Sequence, residues 1–265
     1  MALLVVDVGN TQTVIGVYEG SDLTLDWRVA TEKSHTADEI RAKLASLFFA
    51  DGFDACSVVG LSLSSVVPRL TAAWSKVARD MFGVEALLCT AAQAGDLFDT
   101  DYPRPEEIGA DRVADSVAAR ALYGQPVVVV DFGTATNIEI IDKQGRFVGG
   151  IIAPGVETSA QALFSRATRL ADTALVAPPK VIGRSTDQAI QSGIVFGEAD
   201  RVDGLLRRVY AQLGYKAPAV ATGGLASTIS QYSTEITEIN PTLTLEGLRL
   251  IFERNERSNA DTMTT

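Results

Sequence analysis

Val127-Val128-Val129-Val130-Asp131-Phe132-Gly133-Thr134-Ala135-Thr136, in the middle of the chain, repeats a phrase met first as Leu3-Leu4-Val5-Val6-Asp7-Val8-Gly9-Asn10-Thr11. Each is an apolar run of the kind a buried strand needs, then an aspartate, a glycine, and hydroxyl or amide residues. That order suits phosphate. Glycine lets the backbone come close, N–H and hydroxyl groups donate, and the aspartate can hold a cation. The second aspartate stands 124 positions after the first. The repetition predicts a duplicated domain with a nucleotide between the halves.

Working outward, the repetition extends beyond the two turns. Residues 13–18 and 23–30 read as strands split by Glu19-Gly20-Ser21-Asp22, and residues 137–141 and 147–153 as strands split by Asp142-Lys143-Gln144-Gly145. Each half thus opens with three strands joined by tight turns. After the first set, helical spacing over 38–49 puts Ile40, Leu44, Leu47 and Phe48 on one face, with Thr36 or Asp38 as its cap. A strand at 58–63, a helix at 68–82 opening on Pro68, and a strand at 84–89 continue an α/β alternation. A loop at 99–107 leads to a helix at 111–123. In the second half, helices are expected at 156–169, 186–213, 224–232 and 245–255, a short strand at 218–221, and a frayed end from about residue 255. The punctuation Gly124-Gln125-Pro126 divides the chain into an N-terminal domain, 1–123, and a C-terminal domain, 124–265, which should meet at a cleft.

Bulk properties narrow the function. A length of 265 residues is enough for two ordinary domains, and 33 acidic against 23 basic residues excludes a phosphate-backbone reader, so no nucleic acid is expected. Cys56 and Cys89 have no metal-type spacing and read as reduced structural thiols. The N-terminus lacks the pattern of a signal peptide and no apolar run is long enough to span a bilayer, so the expectation is a cytoplasmic protein without a membrane partner. His35 is the sole histidine, and G-x-S-x-G, Walker A and G-x-G-x-x-G sequences are all absent. What is left is chemistry by carboxylates, glycine-rich backbone and a metal ion. Phosphoryl transfer fits, because it needs positioning and charge stabilisation more than covalent machinery.

Several residues can carry it. In the first turn, Gly9, Asn10 and Thr11 would donate to phosphates while Asp7 holds Mg²⁺, usually through water. The same composition also makes an ordinary β-turn. Thr222-Gly223-Gly224 ends a short strand and could approach an adenine ring or ribose, or could simply turn from strand to helix. Asp111, in Gly109-Ala110-Asp111-Arg112, stands where a helix cap would stand, but also suits a general base for a substrate hydroxyl, with Arg112 beside it for an anion.

Taken together, the chain resembles the type III pantothenate kinase family, a branch of the acetate kinase/sugar kinase/Hsp70/actin superfamily. The resemblance covers nearly the whole chain. It rests on the Asp7 and Asp131 turns, Thr36-Ala37-Asp38-Glu39, Ser65-Val66-Val67-Pro68, Gly109 to Arg112, Gly149 to Gly155, Gln191-Ser192-Gly193, Ala221 to Gly224 and Leu243-Thr244-Leu245-Glu246-Gly247-Leu248.

The resemblance implies an α/β fold of duplicated ribonuclease H-like (actin-like ATPase) domains, each a mixed sheet with flanking helices. The implied activity is ATP-dependent phosphorylation of pantothenate to 4′-phosphopantothenate, the first step of coenzyme A biosynthesis. ATP would lie on Asp7, Val8, Gly9, Asn10, Thr11, Gln12, Thr13, Val14 and Thr134, with Asp7 near Mg²⁺. Pantothenate would meet Tyr102, Gly109, Ala110, Asp111, Arg112 and Thr186, with Asp111 as proton acceptor. Asp131 would coordinate a monovalent cation, K⁺ or NH₄⁺, and the protein would be a homodimer. The sequence departs from the family pattern at His35, at Pro103-Arg104, and at Asn137 and Glu139. A kinase of another small hydroxylated acceptor, or a non-enzymatic regulatory protein on the same fold, stand as alternatives.

Overall fold

The computed structural model describes residues 1–166 and 173–263. In chain order the elements are β1 (Ala2–Val8), β2 (Gln12–Glu19), β3 (Asp22–Ala30), α1 (Ala37–Ala50), β4 (Val58–Ser65), α2 (Pro68–Val77), β5 (Ala86–Leu88), α3 (Ala91–Ala94), β6 (Asp99–Thr100) and α4 (Ala110–Tyr123). They continue as β7 (Val127–Phe132), β8 (Ala135–Ile141), β9 (Arg146–Pro154), α5 (Val156–Arg166), α6 (Thr186–Gln191), α7 (Gly197–Leu213), β10 (Ala219–Thr222), α8 (Ala226–Ser230), β11 (Glu238–Ile239) and α9 (Leu243–Met263). The chain forms two compact units, Met1–Ala118 with Leu243–Thr265, and Ala119–Thr242.

In the first unit the strand order is β3-β2-β1-β4-β5, antiparallel through β1–β2 and β2–β3 and parallel through β1–β4 and β4–β5. The second unit repeats this order as β9-β8-β7-β10-β11, with the same senses at each step. In both, the first strand of the repeat is central and fully apolar until its aspartate. Leu4, Val6 and Val8 of β1 join Ile40, Leu44 and Phe48 of α1 and Leu70, Trp74 and Val77 of α2 in one core. Val128, Val130 and Phe132 of β7 join Val195, Ala199, Val202 and Leu206 in the other.

Local chemistry sets the ends of these elements. Thr36 caps α1 in a reciprocal box: its hydroxyl accepts from Glu39 N and its own N–H donates to Glu39 Oε2 at 2.7 Å. Pro68 occupies the first turn of α2, where a missing N–H costs nothing. The helix expected over 186–213 is interrupted by a π turn, Ser192–Phe196. Its buried residues run Ile190, Val195, Ala199, Val202, Leu206, and the five-residue step at the π turn inserts one extra residue without losing the apolar face. The helix expected at 156–169 is seen to Arg166, and its last three residues lie outside those described. The two-residue strands β6 and β11 and the short α3 carry too little periodicity to be expected from sequence.

The C-terminus differs most from expectation. Residues from 255 on continue α9 to Met263 instead of fraying, and α9 belongs to the first unit, whereas the sequence reading gave 124–265 to the second. Long-range contacts hold it. Ser62 Oγ donates to Leu248 O at 3.0 Å, Arg254 Nε to Asp96 Oδ1 at 2.7 Å, and Asn255 Nδ2 to Gln93 O at 2.9 Å. Arg249, 7 % exposed, lies over the Tyr18 ring and pairs with both Glu246 and Glu253. Gly247 lets α9 touch α4, since a Cβ there would lie 2.0 Å from the carbonyl oxygen of Ala114.

Glycine in a helix normally costs about 1 kcal/mol against alanine, but this contact reverses the sign. Gly247→Ala is expected to destabilise the protein by about 1–3 kcal/mol, the range of overpacking. Urea unfolding would read this as a lower midpoint at unchanged slope.

Candidate active site

β1 delivers Asp7 to a point where it faces Val14 of β2 on one side and Ser64 of β4 on the other. β7 delivers Asp131 in the same register, facing Asn137 of β8 and Thr222 of β10. Each carboxylate therefore sits at the carboxyl end of a central strand, where an antiparallel neighbour gives way to a parallel one. In open α/β sheets such points are where ligands bind.

In the first corner, Gly9 N donates to Gln12 O at 3.0 Å, so the turn itself uses this N–H. A Cβ on Gly9 would come 2.9 Å from that same oxygen. Val8 is buried, and Asn10 and Thr11 form an exposed tip. Lys33 Nζ donates to Asn10 Oδ1 at 3.0 Å and Arg28 Nη1 to Gln12 Oε1 at 3.0 Å, while the Thr13 and Thr31 hydroxyls lie 2.8 Å apart.

The two corners are not copies in detail. Three residues, 9–11, link β1 to β2, but only Gly133 and Thr134 link β7 to β8. In the second corner Gly133 N donates to Ala135 O at 3.0 Å. Thr134 O accepts from both Gly155 N at 3.1 Å and Thr158 Oγ1 at 2.7 Å. Gly155 must be glycine here, because a Cβ would lie 2.3 Å from Gly133 O. Gly223, at φ +90°, packs equally closely: a Cβ would lie 2.4 Å from Asp131 Oδ1 and 2.7 Å from Phe132 O. The glycine of Thr222-Gly223-Gly224 is thus required by packing on Asp131.

Asp111 lies in the first turn of α4, with Arg112 N donating to its Oδ1 at 2.9 Å. Gly109 precedes it closely, since a Cβ would lie 2.4 Å from Asp111 Oδ1. Ala110 O accepts from Cys89 Sγ at 3.3 Å, and Thr244 Oγ1 of α9 donates to buried Asp115 Oδ1 at 2.6 Å. Tyr102 is exposed, with its N–H on Thr100 Oγ1 at 3.0 Å. Thr186 is exposed at the start of α6, capped by Ser185.

The first unit brings Asp7 and Asp111 into electrostatic contact. Burial pushes the Asp7 carboxyl up from its ordinary 3.8 to about 7, and the Asp111 charge pushes in the same direction. The Ser64 hydroxyl and Arg28 only partly offset this. The Cys89 thiol is likewise pushed up, by burial and by Asp7, Asp111 and Asp115. Sequence reasoning missed Ser64 and Asp115, read Cys89 only as a structural thiol, and met Thr244 only within the Leu243–Leu248 motif. Serines at 62 and 64 inside an apolar buried strand were the one available signal.

Among the described residues no group of three or more His, Cys, Asp or Glu could hold a metal ion. Any ion here must complete its shell with ligand oxygens, backbone carbonyls or water. Mg²⁺ commonly does so when it arrives on phosphates. No helix among the described residues is long and apolar enough to cross a membrane.

Solved structures place the fold in the actin-like ATPase and sugar kinase class. The activator of 2-hydroxyisocaproyl-CoA dehydratase from Clostridium difficile, with bound ADPNP, aligns over 98 % of each chain at TM-score 0.60 and 13 % identity. The inorganic polyphosphate/ATP-glucomannokinase from an Arthrobacter strain aligns over 95 % of this chain and 99 % of its own at TM-score 0.50 and 15 % identity. At such identities the likeness concerns the fold alone. The type III pantothenate kinase family profile matches residues 3–208. Type III pantothenate kinases of Thermomicrobium roseum and Roseiflexus sp. RS-1 are 45 % and 46 % identical over 97 % and 96 % of this chain and 98 % and 99 % of their own. The chain belongs to the type III pantothenate kinase family.

The raised Asp7 pKa has a consequence for stability. Below about pH 4 the carboxyl is protonated in the folded chain and costs nothing. As pH climbs from 4 to 7 the unfolded chain ionises first, and stability is lost until Asp7 itself ionises near 7. Asp7→Asn is therefore expected to raise Tm by roughly 5 °C at pH 8, with little change near pH 4. Thermal denaturation across that range, without nucleotide or divalent ions, checks it.

Proposed function

We propose that the chain transfers the terminal phosphoryl group of ATP to the hydroxyl of pantothenate, giving ADP and 4′-phosphopantothenate, the first step toward coenzyme A. The observation that carries this reading is the coupling of Asp111, in the first turn of α4, with Asp7, at the end of β1, in a chain of this family.

Asp111 accepts the hydroxyl proton as the substrate oxygen bonds to the terminal phosphorus and the bond to ADP breaks. Asp7 would stand beside Mg²⁺ carried by the phosphates, whose charge would offset the burial penalty and the Asp111 charge that together raise its pKa. Asp7 through Val14, with Thr134, contact ATP. Tyr102, Gly109, Ala110, Arg112 and Thr186 bind pantothenate, with Arg112 suited to its carboxylate.

Asp131 holds a monovalent cation, K⁺ or NH₄⁺. A single carboxylate near the Phe132 and Ala135 carbonyls, with no cluster of three or more acidic, Cys or His groups among the described residues, suits a singly charged ion. When bound, such an ion would supply fixed positive charge at the second corner. The working enzyme is a cytoplasmic homodimer in this reading.

Coupled ADP release with pantothenate, Mg²⁺ and KCl or NH₄Cl is expected to show turnover that depends on all three additions. Turnover with a different hydroxylated acceptor in place of pantothenate would overturn the substrate assignment. Asp111→Asn is expected to lower kcat by about 10²–10⁴-fold while the protein stays folded by circular dichroism. Near-normal kcat would remove the base role.

A further inference from the structure

Beneath the second corner lies a closed polar ring whose charged members, Glu198 and Arg201, belong neither to the motifs nor to the proposed site residues. Thr136 Oγ1, buried on β8, donates to Glu198 Oε1 at 2.7 Å. Glu198, 5 % exposed in the first turn of α7, pairs through Oε2 with Arg201 Nη2. That same nitrogen donates to Pro154 O at 2.7 Å and approaches Thr136 Oγ1 at 3.4 Å. Pro154 is the last residue of β9. The next residue, Gly155, lies on the carbonyls of Gly133 and Thr134 and donates to the latter.

We propose that Glu198 and Arg201 are positioning residues for the second corner. They fix Pro154 and Thr136, and through Gly155 they hold Gly133 and Thr134 in the geometry that Asp131 needs to bind its cation. This rests on the cation role proposed for Asp131.

Three observations support it. First, Thr136 and Glu198 are 1 % and 5 % exposed, and a charge-assisted bond between groups so buried is strong and directional. Second, the ion pair lies within α7, but each partner also bonds to a strand: Arg201 to Pro154 of β9, 47 residues away, and Glu198 to Thr136 of β8, 62 residues away. Third, the π turn at Ser192–Phe196 sets the phase of α7, which turns Glu198 and Arg201 toward β8 and β9 while Val195, Ala199 and Val202 stay in the core. π turns of this kind recur at functional positions. Residues that orient a cation's own ligands commonly change its affinity by about 10–100-fold when removed.

The test compares Arg201→Met, Arg201→Lys and the milder Thr136→Val with the parent protein. Hydrogen exchange of the ligand-free protein reads the amides of Gly133 and Gly155, with β7 amides as internal controls. Thermal stabilisation by KCl, against LiCl at equal ionic strength, reads cation binding without requiring turnover. Arg201→Met is expected to speed exchange at Gly155 and to raise the KCl needed for half the stabilisation by about 10-fold or more. Because the contacts to Pro154, Thr136 and Glu198 converge on one nitrogen, Arg201→Lys is expected to restore much of both. Thr136→Val should act in the same direction, more weakly, with β7 exchange unchanged.

Unchanged exchange at Gly155 in Arg201→Met overturns the proposal. So does faster exchange with an unaltered KCl response, which would leave the ring a structural brace only. Absence of pantothenate-dependent turnover in the parent protein would instead count against the kinase reading, and the exchange and KCl results would stand apart from it.

Discussion

A central strand bonded to neighbours along both edges has little free but its end. β1 and β7 are both such strands, and each carries its one acidic side chain near that end. The apolar run before the aspartate is the cost of that position: a strand covered on both faces must be nearly all Val and Leu. The aspartate comes one residue before the end of a strand paired antiparallel along one edge and parallel along the other. Core, corner and charge follow from one arrangement, repeated in each unit.

The electrostatics of the first corner explain why it suits a cation-assisted reaction. Burial raises the energy of the Asp7 anion and the Asp111 charge adds to it, until Asp7 ionises only near pH 7. A folded chain accepts such a cost when a ligand removes it, which is how functional sites commonly hold perturbed groups. Asp115 extends the acidic surroundings into the core and helps push up the buried Cys89 thiol, and Thr244 of α9 ties down Asp115. The C-terminal helix is thereby joined to the element that carries the proposed base. Its contacts through Arg249, Arg254 and Asn255 are not those of a loose tail.

Duplication preserved strand order and the register of the aspartates, but not the turns. The first corner spends three residues and commits Gly9 N–H to Gln12 O; the second spends two and is strapped by Gly155 and Thr158. A tighter turn held from outside presents carbonyls and a carboxylate in fixed positions. A longer turn with an exposed tip at Asn10 and Thr11 presents adaptable donors. This difference matches the different partners proposed for them, a cation in one case and phosphates in the other.

Much of this was legible in the sequence, because the governing signals are local. Apolar runs, turn glycines and helical spacing set the meanders, α1, α2 and α4, and the Asp7, Asp111 and Asp131 positions. These depend on the hydrophobic period and on backbone sterics, which a short window of residues contains. The extent of α9 and its membership of the first unit were not legible, since they come from contacts such as Ser62 with Leu248, 186 residues apart. Nor was the pairing of Glu198 and Arg201 with β8 and β9, which needs the extra residue of a π turn to aim them. Local rules determined which elements exist; packing over long chain separations decided which of their polar residues meet.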